Sequence, residues 1–295
     1  MYEQLFYENE KGEKIEFSPY STFHTSVKRN VSGLRDVSAR IITSETAGMD
    51  GASYEGTQIE MRDIEITGWI RRNNLDEQKR LARQLNKIMN PRFSGTLIYQ
   101  YGDYRRYIKC HPETAPAYKY DAGTWTEFNI VLKCPWPYWQ EETERTAEIT
   151  SWMGGMIFDA EEGLEIAEDW EIGYRMPELI VAVENDGDTP IGMTVRFAAN
   201  GDVETPKILD VETGEYIKLN LSMVKGDVVE VTTGFGDKRV MLHSGGETTN
   251  IFRMLEAGST FLQLDVGTTR YKVEAASGIE DLDVSLKYRN IYTGV

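Results

Sequence analysis

Three histidines, two cysteines and 48 acidic residues are the groups from which this 295-residue chain could build chemistry. His24, His111 and His243 lie in separate segments with no H-x-x-x-H spacing, so they read as surface or strand-end histidines rather than metal ligands. Acyl transfer by a Ser/His/Asp set needs a nucleophile on a sharp turn with a base in reach, and no G-x-S-x-G occurs. No glycine-rich loop leads into Lys and Ser/Thr to cradle a phosphate. Glu184-Asn185-Asp186-Gly187-Asp188 has the look of a calcium loop, but it lacks the twelve-residue ligand pattern with its closing bidentate Glu and reads as a hairpin turn. A glycosidase needs two carboxylates facing each other across a cleft, and no such pair can be chosen among so many acids, for which a solvated surface is the default. Cys110 and Cys134 each end an expected strand. A disulfide between them is geometrically feasible, but a reducing cytoplasm favours buried free thiols, and two cysteines cannot complete a structural zinc site. These groups point to a chain that is not an enzyme and has no cofactor or metal.

The elements that position these residues are best read from Asp63 to Trp139. Ile64, Ile66 and Trp69 alternate as in a strand, with Thr67-Gly68 interrupting the run. A helix is expected over Leu75–Met89, with Asn74 as N-cap and Glu77 completing a capping box. Leu81, Ala82, Leu85, Ile88 and Met89 recur at helical spacing, and Asn90-Pro91 ends the run. Strands are expected at Thr96–Gln100, Arg105–Cys110 and Trp125–Cys134. Together these predict one helix lying against an antiparallel sheet.

The ordered set RDIEITGWI, NKIMNPRFSGTLIYQ, RRYIKC and FNIVLKCPWPYW resembles the distal tail protein family of long, non-contractile phage tails, a family also found in prophages. The resemblance is best over residues 48–139 and 178–275. It implies a structural virion component at the tail tip, assembled in the host cytoplasm. The N-terminal half would close into a homo-hexameric ring. That ring would join the tail tube protein to a tail-tip hub or lysin-like protein, with a receptor-binding protein or a host glycan as a further partner.

Upstream, residues 2–7 and 14–17 flank a turn at Asn9-Glu10-Lys11-Gly12, and Val37 to Ile42 is the best strand candidate before the family block. Glu45 to Ser53 is small, polar and glycine-bearing, a loop or the tip of a long hairpin. In the family this region can reach a neighbouring subunit, which makes Gly48, Met49, Asp50, Gly51 and Tyr54 candidate ring contacts. Arg71, Arg72, Arg80 and Arg83 join them as a basic cluster that lies largely on the polar side of the helix; a solvated face is the ordinary outcome for such residues.

Charge divides the chain. Up to Gln140 there are 19 basic and 18 acidic residues, and from Glu141 onward 13 basic and 30 acidic. An acidic half disfavours DNA and anionic membrane, whereas a near-neutral half approaches its own copies without strong repulsion. No run of about 18 apolar residues is present, so no membrane insertion is expected. MYEQLFYENEKGEK has no basic segment followed by an apolar core and does not read as a secretion signal.

The expected organisation is a ring-forming domain over 1–140, an acidic seam over 141–175 and a β-sandwich over 176–295. Turn signals about every ten residues in the last part predict short antiparallel strands, and by resemblance the sandwich is galectin-like or carbohydrate-module-like. The fold class is therefore mainly β, with an N-terminal antiparallel sandwich or barrel-like domain carrying one α-helix. The rival function is a carbohydrate-binding adhesion component. All six tryptophans lie at or before Trp170, so aromatics facing a glycan would have to be Tyr216, Phe235 or Tyr271, with Phe252 and Tyr288 also available.

Overall fold

The computed structural model describes residues 2–48, 50–71, 75–120, 125–149, 152–154, 173–175 and 180–295. The chain forms two compact units, Met1–Glu142 with Ile291–Val295, and Thr143–Asn290.

In the first unit, β1 (Gln4–Asn9), β2 (Lys14–Ser18), β3 (Phe23–His24), α1 (Val27–Asn30) and β4 (Val31–Ser32) come first. They are followed by β5 (Ala39–Ser44), β6 (Ser53–Ile59), β7 (Arg62–Arg71), α2 (Leu75–Ile88), β8 (Gly95–Tyr101), β9 (Tyr104–Pro112), β10 (Ala117–Tyr120), β11 (Trp125–Cys134) and β12 (Trp139–Glu141). Seven strands close into a barrel in the order β11-β7-β3-β2-β1-β8-β9, sealed where β9 meets β11 at Leu132↔Pro112 and Lys133↔His111. Only the short β2–β3 pair within that barrel is parallel. Closure removes the open sheet edges that a flat sheet would leave.

Alternation sets the core. On β7, Arg62, Ile64, Ile66 and Ile70 are buried while Asp63, Glu65, Thr67 and Trp69 face outward or are half-buried. The sequence reading placed Trp69 on the apolar side and treated Gly68 as a break. Instead the strand runs on without a break, and Gly68 faces inward. A Cβ there would come within 2.4 Å of both the Phe128 ring and the Thr25 hydroxyl, so the position accepts only glycine. On α2, Leu81, Leu85 and Ile88 are buried, with Met89 just beyond, and Gln78 reaches the Thr126 hydroxyl from the same side. Tyr118 fastens the helix from outside, its hydroxyl donating to the Ala82 carbonyl at 3.0 Å. Asn74, the expected N-cap, lies outside the described residues. Besides α2 there is a second, single-turn helix, α1, which the sequence reading did not contain. Cys110 and Cys134 are free thiols in the barrel core.

The second unit is built on two antiparallel sheets. One orders Arg145–Glu148, Leu282–Tyr288, Thr194–Ala199, Val228–Thr232, Arg239–Ser244 and Glu247–Asn250. The other orders Ile180–Asn185, Gly267–Glu274, Lys207–Asp210 and Tyr216–Lys218. Val195, Phe197, Val229 and Leu286 of the first sheet and Ile208, Ile217 and Tyr271 of the second are fully buried, as alternation on a two-sheet fold requires. Most of the acidic seam falls outside the described residues. Two assignments differ from the expected boundaries: Arg145–Glu148 pairs within the second unit, and Ile291–Tyr292 returns to the first, where it pairs with β12.

Candidate functional site

The first unit carries a two-stranded arm. Among the described residues β5 and β6 pair only with each other, with a register shift between Ile42 and Thr43. All six residues of β5 are exposed, as are most of β6. Ile41 is 65% exposed, Ile42 46% and Tyr54 67%. An isolated two-strand hairpin is at best marginally stable in water, so an arm with uncovered apolar side chains gains by being covered. The tip explains its glycines: Gly48 and Gly51 both have φ of +86°, which side chains disfavour, and neither would meet an obstacle with a Cβ. Tyr54 is fixed by its hydroxyl, 2.8 Å from that of Thr57. The segment between Glu45 and Ser53, left open as loop or hairpin tip, is thus the tip of a long hairpin. Gly48, Asp50 and Gly51 lie on that tip and Tyr54 on β6, opposite Thr43; Met49 lies outside the described residues.

The root of the arm is a polar cleft of about 590 Å³ lined by residues such as Asp36, Arg40, Gln58, Glu60, Met61 and Arg62. Arg40 and Glu60 bridge across its mouth at 3.4 Å. On α2, Lys79, Arg80 and Arg83 are exposed on the side away from the core. Arg71 is exposed at the end of β7, and Arg72 lies outside the described residues. The sequence reading grouped the arm residues with these arginines; the structure distributes them over three separate elements: hairpin, strand end and helix.

Arg62 is a residue the sequence reading passed over. It occupies an inward position of β7 and is only 2% exposed, and among the described residues its hydrogen bonds go to backbone carbonyls. Its Nε donates to the Pro137 carbonyl at 2.7 Å. Its Nη1 donates to the carbonyls of Gly33 at 2.7 Å, Leu34 at 3.1 Å and Asp36 at 2.7 Å, and its Nη2 donates to that of Thr293. Burial pulls the guanidinium below its ordinary range, while Cys134 and Asp36 oppose that shift; an arginine remains charged throughout. Gly33 is held with φ of +78° so tightly that a Cβ would sit 1.9 Å from the Asp63 carbonyl oxygen. Arg106 grips the same returning segment, its guanidinium 3.1 Å from the Tyr292 ring centroid and Nη1 2.8 Å from the Gly294 carbonyl. Root, returning segment and the start of β7 thus form one hydrogen-bonded knot beneath the arm. The available signal was an arginine in phase with Ile64, Ile66 and Ile70.

Of the candidate glycan-facing aromatics, Tyr271 is fully buried, its hydroxyl raised above the ordinary range by burial and by Asp210, Asp265 and Glu212. It faces the core, because it alternates in phase with Val273, and this removes it from the set. Phe235 is 87% exposed on a turn, and Tyr216 is half-buried on the outward face of the four-stranded sheet. His24, His111 and His243 remain apart; His243 is occupied by Thr248 at 2.9 Å and Glu230 at 3.4 Å. Among the described residues, no three His, Cys, Asp or Glu groups gather as a metal site, and no helix is long and apolar enough to cross a membrane.

A family model described as a phage tail protein RIFT-related domain matches residues 11–134, and one described as a siphovirus-type tail component, C-terminal domain, matches residues 186–292. The chain belongs to the distal tail protein family of siphophages. Among solved structures, this distal tail protein is similar in fold to the crystal structure of the SPP1 Dit (gp 19.1) protein, described as a paradigm of the hub adsorption apparatus in phages infecting Gram-positive hosts. The TM-score is 0.69 at 13% identity, over 97% of this chain and 98% of that one. Chains of the phage P2 baseplate in its activated conformation, with calcium or with strontium, give TM-scores of 0.49 and 0.48 at 11% and 12% identity over the full length of both chains, a likeness too loose to weigh. No curated protein sequence matches. As a distal tail protein the chain is a component of the virion tail and baseplate, and its family and fold are those of structural proteins.

Proposed function

We propose that this distal tail protein works as a six-membered ring joining the tail tube to the tail-tip adsorption apparatus. The observation that carries the reading is the exposed β5–β6 arm with Ile41, Ile42 and Tyr54 uncovered. Each arm reaches the next copy and buries these side chains there, a head-to-tail contact that closes when its rotation divides the circle. The near-neutral first half permits that approach. Lys79, Arg80 and Arg83 on α2 and Arg71 on β7 fix orientation against acidic groups of a neighbour, contributing register more than affinity. The tube protein meets one face of the ring and a hub or lysin-like protein the other, and assembly takes place in the host cytoplasm. The second unit carries most of the net negative charge.

Native mass measurement and negative-stain imaging of the full chain test this. Wild type is expected as rings with a central hole. Because Ile41 and Tyr54 are exposed, I41D/Y54D is expected to melt at the wild-type temperature while failing to close rings. Rings that persist in I41D/Y54D would remove the arm from the interface. A wild-type chain that stays monomeric at its highest soluble concentration, even with tube and hub proteins added, would overturn the ring itself.

A further inference from the structure

The two cysteines meet at the seam that closes the barrel. β9 and β11 pair at Leu132↔Pro112 and Lys133↔His111, and the same register, one residue further, sets Cys134 opposite Cys110. The Glu113 amide donates to the Val131 carbonyl at 2.9 Å. Hydrogen-bonded and non-hydrogen-bonded pairs alternate along an antiparallel ladder. With Val131 and Glu113 a bonded pair, Cys134 and Cys110 fall at a non-bonded one. Such pairs hold their Cα atoms closest, at ~4.5 Å, inside the ~4.4–6.8 Å that a disulfide spans. Pro135 has no N–H to carry the ladder on, so thiol faces thiol where the backbone bonding of the seam stops. Both side chains are fully buried, and the two thiols touch.

Two more groups reach this pair. Arg62 lies opposite Cys134 in the β7–β11 register, and its guanidinium and that sulfur act on each other electrostatically. A fixed cation there offsets the negative charge a sulfur carries as it attacks. On the other side, Gly95 of β8 lies opposite Cys110, and a Cβ on Gly95 would come within 2.3 Å of the Tyr7 hydroxyl, so that phenol sits beside the thiols. Among the described residues the Tyr7 hydroxyl is buried without a hydrogen-bond partner. Burial first, then Cys110 and Glu10, push it above its ordinary range, so it stays a donor. A nucleophilic sulfur, a second sulfur in contact with it and an unengaged O–H donor are the parts needed to reduce an O–O bond.

We propose that Cys110 and Cys134 are an oxidisable pair which a small peroxide converts to a disulfide, stapling β9 to β11 and locking the barrel shut. The Cys134 sulfur, having given up its proton, attacks one peroxide oxygen. The O–O bond breaks, and the other oxygen leaves with that proton as water, the Tyr7 hydroxyl donating to it as it departs. Cys134 is then a sulfenic acid. The Cys110 sulfur attacks it, the S–S bond forms, the S–O bond breaks, and the hydroxyl leaves with the Cys110 proton as a second water. Two thiols and one peroxide thus become one disulfide and two waters. A peroxide is uncharged and close to water in size, so it reaches a buried pair through local openings that stop a bulky reagent. A virion tail works outside the cell, where no thiol buffer keeps cysteines reduced, and the staple closes there. The inference does not rest on the ring reading, since it concerns the barrel alone.

Hydrogen peroxide added to the full, folded chain tests it, read by intact mass, by thiol labelling in denaturant and by melting. The mass is expected to fall by two hydrogens, and both thiols to vanish together within single chains. The first unit is expected to melt about 5–15 °C higher, and dithiothreitol to reverse all three changes. In Cys110→Ala a sulfenic acid that dimedone traps is expected on Cys134, and in Cys134→Ala the remaining Cys110 is expected to react about tenfold more slowly or less. Tyr7→Phe is expected to melt at or above the wild-type temperature yet oxidise about tenfold more slowly, a split that a merely structural tyrosine would not give. Thiols that stay free in peroxide, a gain of oxygen mass without a cross-link, or a cross-link between chains overturns the proposal. A disulfide that forms with no rise in melting temperature overturns the staple. Equal rates in the two single-cysteine variants overturn attack by Cys134, and a wild-type rate in Tyr7→Phe overturns the donor role of that hydroxyl.

Discussion

Replacing Arg62 by Met removes a buried cation that five backbone carbonyls surround, and the cost can be sized from those contacts. A hydrogen bond to a charged group contributes ~1.5–3 kcal/mol net. Five of them overstate the total, because taking the guanidinium out of water costs several kcal/mol and three acceptors share Nη1. Methionine fills much of the volume but leaves the carbonyls of Gly33, Asp36, Pro137 and Thr293 without this donor. Leaving a buried acceptor without a donor costs ~1–3 kcal/mol each; with the guanidinium's desolvation cost recovered, a net loss of about 3–5 kcal/mol remains, which at ~2–4 °C per kcal/mol for a unit of this size is a fall of ~6–20 °C in Tm. The assay is urea and thermal unfolding followed by tryptophan fluorescence, which reports mainly on the first unit, where buried Trp139 donates to the Leu34 carbonyl beside Arg62 at 3.0 Å. Arg62→Lys is expected to fall between the two, since it keeps the charge but cannot span the same carbonyls. Hydrogen exchange at residues 291–295 should accelerate in the Met variant. A Met variant within ~1 kcal/mol of wild type would refute the view that this knot, rather than apolar packing alone, fastens the returning segment.

Two further outcomes follow from the same geometry. Cys110 and Cys134 are both fully buried, and the Cys110 thiol is pushed well above its ordinary range, first by its contact with Cys134 and then by burial. The folded protein should therefore resist a thiol reagent that labels both cysteines at once in denaturant; fast labelling of the native state would contradict the packing of the barrel seam. Lys218 and Lys207 depress Glu256 and Glu274 in the folded state. A depressed carboxylate stabilises fully above its unfolded value of about 4.3 and loses that contribution as pH falls through its lower folded value. The stability difference between wild type and E256Q/E274Q should thus be present at neutral pH and fade in acid, and a difference independent of pH would show that these pairs do not titrate as described.

What the sequence made legible follows from range. α2 was readable because Leu81, Leu85 and Ile88 state its period within three turns, and the turns of the second unit were readable because glycine marks them locally. Barrel closure was not, since it depends on Leu132 finding Pro112 and on a two-residue parallel contact between β2 and β3, neither of which leaves a local pattern. The return of Ile291–Tyr292 to the first unit was hidden for the same reason.

One error was avoidable, the outward placing of Tyr271, because parity alone decides it. In the strand Gly267–Glu274, Tyr271 keeps step with Val273, and both are buried, while Arg270, Lys272 and Glu274 keep step with the outward face. In Tyr216–Lys218 the buried residue is Ile217, which puts Tyr216 outside. Arg62 obeys the same count on β7. A charged residue in phase with three isoleucines must either break the strand or find every donor a partner, and the chain does the second by bending Gly33, Asp36, Pro137 and Thr293 around it. A polar residue at an apolar beat of a strand is therefore the place where distant segments have been drawn together. Here those segments are the ones that root the β5–β6 arm.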